Sequence, residues 1–190
     1  MLLCRGLSLC ILAPYGRAQS MAAGEWLSKS QIVSSRGIEG VLSLTRFLDE
    51  MYVVNTEFRW VPNTDFELKH VIVPRGFVTD LASVPTVFYT LFRPDGQYAQ
   101  AAVVHDYLYW CQVTSRKLAD QVFEQAMQDL LVSPFQKKAL FEAVSALGER
   151  SWQRNAAMKR QGERRILKIF PSSPTMTWRE WKMKADVFLE

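Results

Sequence analysis

"QYAQAAVVHDYLYWCQVTSRKLADQVFEQAMQDLLV" (residues 97–132) decides how this chain folds. It reads as two helices, 97–111 and 115–132, with Ser115 as an apt N-cap and only Gln112 to Thr114 between them. So short a connection forces antiparallel neighbours. The midpoint of this hairpin falls between Gln112 and Val113, and His105 and Asp120 are equidistant from it. With equal rise per residue on both arms, the two should stand level across the hairpin. On the second helix, Phe123, Met127, Leu130 and Leu131 make an apolar stripe that Asp120 extends by one turn. On the first, Ala101, Ala102, Leu108 and Tyr109 share the side of His105, so both polar residues are expected to face inward.

Upstream, "YVVNTEFRW" (52–60) and "FELKHVIV" (66–73) are rich in aromatic and β-branched residues and alternate as strands do. "PNTD" (62–65) supplies the turn, so a β-hairpin is expected over about 52–73. His70 then shares a face with Phe66, Leu68 and Ile72, as a half-buried strand residue rather than a ligand. "PRGFVTDLASVP" (74–85) bends at Gly76 and suits a helix entry at Asp80 and Ser83, opening a short helix to about Phe92. Downstream, Ser133, Pro134 and Gln136 open a third long helix that runs to about Asn155 or on into the basic segment. Thr177 and Glu180 form another capping box before a short tail helix that carries Trp178 and Trp181.

These elements predict an α+β fold, with a small antiparallel sheet packed on a helical layer around the 97–132 hairpin. The chain has 190 residues, 48% hydrophobic and 22% charged, which is globular composition. One α+β domain is expected over 21–160, with a basic, Trp-rich extension over 161–190. Residues 1–20 are read as a leader or an early start ahead of Met21, outside the fold. Their apolar run is too short to span a bilayer. Cys4, Cys10 and Cys111 make no disulfide framework, and a reducing compartment fits. A cytoplasmic location is favoured over secretion, and the family resemblance given below implies a virion-associated one as its alternative.

Net charge is +4, and the excess is local: Arg150, Arg154, Lys159, Arg160, Arg164, Arg165 and Lys168 stand against Glu149 and Glu163. Such a block meets phosphates or anionic lipid in some proteins and is a solvated helix face in more. No DNA-binding motif accompanies it, so a nucleic-acid partner is not expected. No Walker loop, GxGxxG, paired CxxC or HExxH is present.

A carboxylate in an inward stripe needs a partner, and His105 is the candidate for Asp120. One reading makes the pair a polar clasp between two helices. The other has Asp120 orient the ring through one nitrogen and leave the second as a base or ligand. Asp106, about 100° round the helix from His105, favours the second, since a carboxylate beside an oriented histidine suits a hard cation or a second proton. Asp80 is expected to look into the same cleft, so three carboxylates converge on one histidine. Asp80 also has a plain explanation as a turn residue, and capping suffices to explain Ser83.

The spacing His105-Asp106-x-x-Tyr109 resembles the active-site helix of secreted phospholipases A2 and of parvoviral phospholipase domains. The resemblance implies His105 as the base that activates water, Asp106 as a calcium ligand, Asp120 as the orienting carboxylate and Tyr109 as its support. The chain departs from those families in lacking their disulfides and their glycine-rich calcium loop. "GFVTDLASVP", "HDYLY" and "RKLAD", in that order over about 74–128, resemble a phage and prophage family of unknown function. That resemblance implies a phage context and no mechanism. The sequence therefore leads to a hydrolase of a lipid ester or cell-envelope bond, with Asp80 and Asp106 on a divalent cation such as calcium. The alternative is a non-catalytic phage component whose His-Asp pair is a core clasp. Phage or bacterial envelope components are the partners either reading suggests.

Overall fold

Asn55 is where the first predicted strand breaks. Its backbone N–H donates to the Ser43 carbonyl at 2.8 Å, its amide donates to the Ser43 hydroxyl, and its carbonyl oxygen accepts from Thr45. An asparagine that satisfies itself this way competes with the ladder. The computed structural model, which describes residues 37–81 and 98–189, accordingly divides 52–60 between two sheets. β3 (Tyr52–Val54) lies between β2 (Leu44–Arg46) and β6 (Val78–Thr79). β4 (Phe58–Trp60) lies between β1 (Ile38–Glu39) and β5 (Val71–Val73). All four pairings are antiparallel.

The expected hairpin survives as β4–β5, with the phase of its second arm reversed. Trp60 pairs with Val71 and Phe58 with Val73, and these four are buried together. Ile72 is therefore turned outward, and His70 lies exposed ahead of the strand, not half-buried on it. Partners across the ladder fixed the inward face; the shorter alternation of the chain did not.

The helical hairpin is as the sequence suggests. α1 (Ala99–Cys111) ends at Gln112 in the left-handed conformation. α2 (Arg116–Asp129) starts on a Ser115 hydroxyl that accepts from the Leu118 N–H at 3.2 Å. α3 (Pro134–Arg160) starts on Ser133, carries Pro134 in its first turn, and continues beyond Asn155 into the basic segment. α1 is buried on nearly every side, as a helix between a sheet and two other helices must be. Leu131, expected in the stripe, lies beyond the helix end and is exposed. Trp60 of β4 donates to Asp129 of α2 at 3.0 Å, which ties the sheet to the helical layer.

The C-terminal residues fold back onto the sheet. Ile166 bridges Phe77, Leu167 bridges Phe188, and Arg165 accepts from the Val78 N–H. Gly76 makes this possible: a Cβ there would stand 2.1 Å from the Leu167 carbonyl oxygen, and its φ is +88°. The Thr177–Glu180 capping box forms as expected and opens α4 (Trp178–Trp181). Trp178, Trp181, Val187 and Phe188 build a second core with Phe47, Val53 and Val78. The leader (1–20), Ser83 and the helix expected to Phe92 lie outside the described residues.

Candidate active site

His105 is fully buried at the middle of α1, and its Nε2 lies 2.9 Å from Asp120 Oδ1 on α2. The level-and-phase argument from the hairpin thus has its contact. Asp120 is saturated. The Tyr109 hydroxyl donates to its Oδ1 at 2.6 Å and Arg116 donates to its Oδ2 at 2.9 Å. A carboxylate already accepting from a phenol and a guanidinium acts as an acceptor toward the ring as well, so Nε2 carries the proton. Nδ1 is then an acceptor, and it is buried with no hydrogen-bond partner. Burial holds the imidazole below its ordinary pKa against the opposing pull of Asp120, so the ring is neutral.

The ring is also fixed by its neighbours. Tyr109 stacks tilted on it at 4.1 Å between centroids, and Phe123 lies at 4.9 Å on α2. Arg116 spans outward to Glu149 on α3 at 3.0 Å, so three helices share the network. Gly148 makes room for Tyr109: a Cβ there would lie 2.3 Å from the phenol oxygen.

Asp106, next along the chain, belongs to a second group. It is 5% exposed, and one oxygen accepts from the Thr79 hydroxyl at 2.5 Å. The other is buried with no hydrogen-bond partner. Burial first, and the charge of Asp80 second, hold its carboxyl well above the usual range. Asp80, at the end of β6, and Asp106 line one cleft with Tyr109, Ser151, Arg154, Asn155 and Arg165. The three carboxylates expected around one histidine thus resolve into Asp120 on His105 and an Asp80–Asp106 pair, with Tyr109 common to both groups.

A hard cation takes six to eight oxygens. Among the described residues no cluster of three or more His, Cys, Asp or Glu side chains is gathered for a metal ion, and two arginines line the Asp106 cleft. That donor set does not suit a divalent cation.

Several residues of this site were not anticipated. Arg116 had a signal, since it stands one turn before Asp120 on the same face. Gly148 had one too, as a glycine inside a helix otherwise well formed. Thr79 was passed over beside Asp80. Arg165 had no signal of its own, because only the returning C-terminal segment places it.

Residues 52–144 match the model of a protein family of unknown function, DUF1353. The match contains Thr79, Asp80, His105, Asp106, Tyr109, Arg116 and Asp120, and ends before Gly148, Glu149, Arg154 and Arg165. Nothing matches this chain among curated proteins, and nothing among solved structures.

Proposed function

We propose that this chain is a hydrolase of phage or prophage type, with His105 as general base toward a water that attacks a lipid ester or another cell-envelope bond. One observation carries the reading: a buried histidine whose Nε2 is locked by a saturated carboxylate and whose Nδ1 has no partner. A buried acceptor left unmatched calls for an explanation, and a catalytic role is one. In the reaction Nδ1 takes the proton of the water as its oxygen bonds to the carbonyl carbon. The imidazolium so formed is stabilised by Asp120, which Tyr109 and Arg116 hold in place. The proton then passes to the leaving alkoxide. The motif resemblance supplies the same roles for His105, Asp120 and Tyr109.

A second reading rests on the complete burial of His105, which a clasp between α1 and α2 also explains. Turnover of a short-chain chromogenic ester, of phospholipid vesicles and of cell-envelope material separates the two. Hydrolysis should fall about 100-fold or more in His105→Gln, the usual contribution of a general base. A folded wild type inactive on all three substrates would leave the clasp.

A further inference from the structure

Asp106 of α1 grips three consecutive residues where β6 ends. Its Oδ2 accepts from the Thr79 hydroxyl at 2.5 Å, and the same hydroxyl oxygen accepts from the Leu81 N–H at 3.0 Å. Leu81 needs such a hold. It is buried with a φ of +50°, in the left-handed region that a leucine seldom occupies. Between the two lies Asp80, whose carboxyl is within hydrogen-bonding reach of Asp106. Asp106 Oδ1 is buried and meets no donor. Two ionised carboxyls are both acceptors, so they bond only if one carries a proton. Asp106 is the one to carry it. Burial and the charge of Asp80 disfavour its ionised form, and together they outweigh the opposing pull of Thr79 and Arg165.

We propose that the turn Thr79–Leu81 is latched by one proton held between Asp106 and Asp80, and that loss of this proton opens the turn. With the proton in place, Asp106 Oδ1 donates to Asp80 while Oδ2 keeps the Thr79 hydroxyl, and neither oxygen of Asp106 is left over. Without it, two like charges face each other at the buried end of a strained turn. Among the described residues, the other charged or titratable groups around the pair are Tyr109 on α1, Arg154 on α3 and Arg165 on the returning segment. The arginines stay charged, and burial pushes the Tyr109 phenol above its ordinary range. His105, the preceding residue, is already neutral. Above neutrality, Asp106 is therefore the group here that changes charge. The latch is independent of any chemistry at His105.

Two measurements on the full chain test it. The first is the infrared band of a protonated carboxyl in heavy water at neutral pH, which wild type should show and Asp106→Asn should lose. The second is hydrogen exchange at the Leu81 amide, corrected for the intrinsic rise of exchange with pH. Protection should fall about tenfold for each pH unit above the point where the band disappears, as closure linked to one proton requires. In Asp106→Asn the side-chain oxygen takes the Thr79 hydroxyl and the amide donates to Asp80, so protection should stay level across pH. Asp80→Asn, whose amide donates to an ionised Asp106, should also stay level and lose the band. Thr79→Val removes the hydroxyl that holds Leu81, and its protection should be low at every pH. A wild type without the band, or a band that survives in Asp106→Asn or vanishes on adding calcium, would overturn the latch. So would wild-type protection that holds until the whole chain unfolds, or a pH dependence that persists in both asparagine variants.

Discussion

Asp120 and Asp106 are both buried carboxylates of the same helical hairpin, and they are provided for in opposite ways. Asp120 receives three donors, from His105, Tyr109 and Arg116, and both of its oxygens are engaged. Asp106 receives one, from Thr79, and faces Asp80 with its other oxygen unmatched. The lesson is one of division. Asp120 fixes the ring of His105, whose buried Nδ1 is left without a hydrogen-bond partner, and Asp106 keeps one oxygen without one as well.

The largest test of that contrast is Asp120→Ala. It strands the His105 N–H, the Tyr109 hydroxyl and Arg116 together, and removing one partner of such a buried network costs about 3–5 kcal/mol. Urea unfolding should show that loss, while Arg116→Gln, at a side chain 27% exposed, should cost far less. A loss below about 1 kcal/mol for Asp120→Ala, the scale of a single net hydrogen bond, would mean that the platform is not fixed.

Gly148→Ala comes next in size. Alanine is the better helix former by about 1 kcal/mol, so an ordinary helix would gain stability. Here the new Cβ meets the Tyr109 phenol oxygen, and overpacking of this kind costs about 1–3 kcal/mol. A net loss is expected, and it should shrink in a Tyr109→Phe background, where the obstructing oxygen is absent and the nearest ring carbon stands 3.2 Å away. A gain in the wild-type background would show that Tyr109 moves aside freely and does not hold Asp120.

The sequence made much of this legible, and the limits are physical. Helix starts were readable because Ser115, Ser133 and Thr177 cap locally, and the His105–Asp120 contact followed from the loop length and the phase of the two apolar faces. Strand facing was not, since the burial of Val71 and Val73 over Ile72 depends on pairing with Trp60 and Phe58. The split at Asn55 depended on hydrogen bonds to Ser43 and Thr45, residues outside the predicted hairpin. Arg165 was read as part of a basic block, and only a bridge between residues 77 and 166 puts it over Asp106. Local signals reach about one turn of helix; the cleft is assembled from residues as far apart as Asp80 and Arg165.

The smallest effect belongs to Asp106 and to pH, and its sign separates the two carboxylate environments. Asp106 has its folded pKa raised, so the folded state binds more protons than the unfolded one above pH 3.8. Its stability contribution is therefore present at acid pH and declines as pH rises through the folded value. His105 runs the other way, because its folded pKa is lowered from 6.5: the unfolded state binds more protons, and stability declines as pH falls below that figure. Asp106→Asn removes the first dependence and keeps the second. At pH 7 the variant should match or slightly exceed wild type, with its advantage shrinking toward pH 4. Thermal midpoints of the two proteins across that range read the difference directly. An Asp106→Asn protein that is less stable than wild type at neutral pH, with the gap closing in acid, would mean that the Asp106 carboxylate is satisfied and charged, and the comparison with Asp120 would collapse.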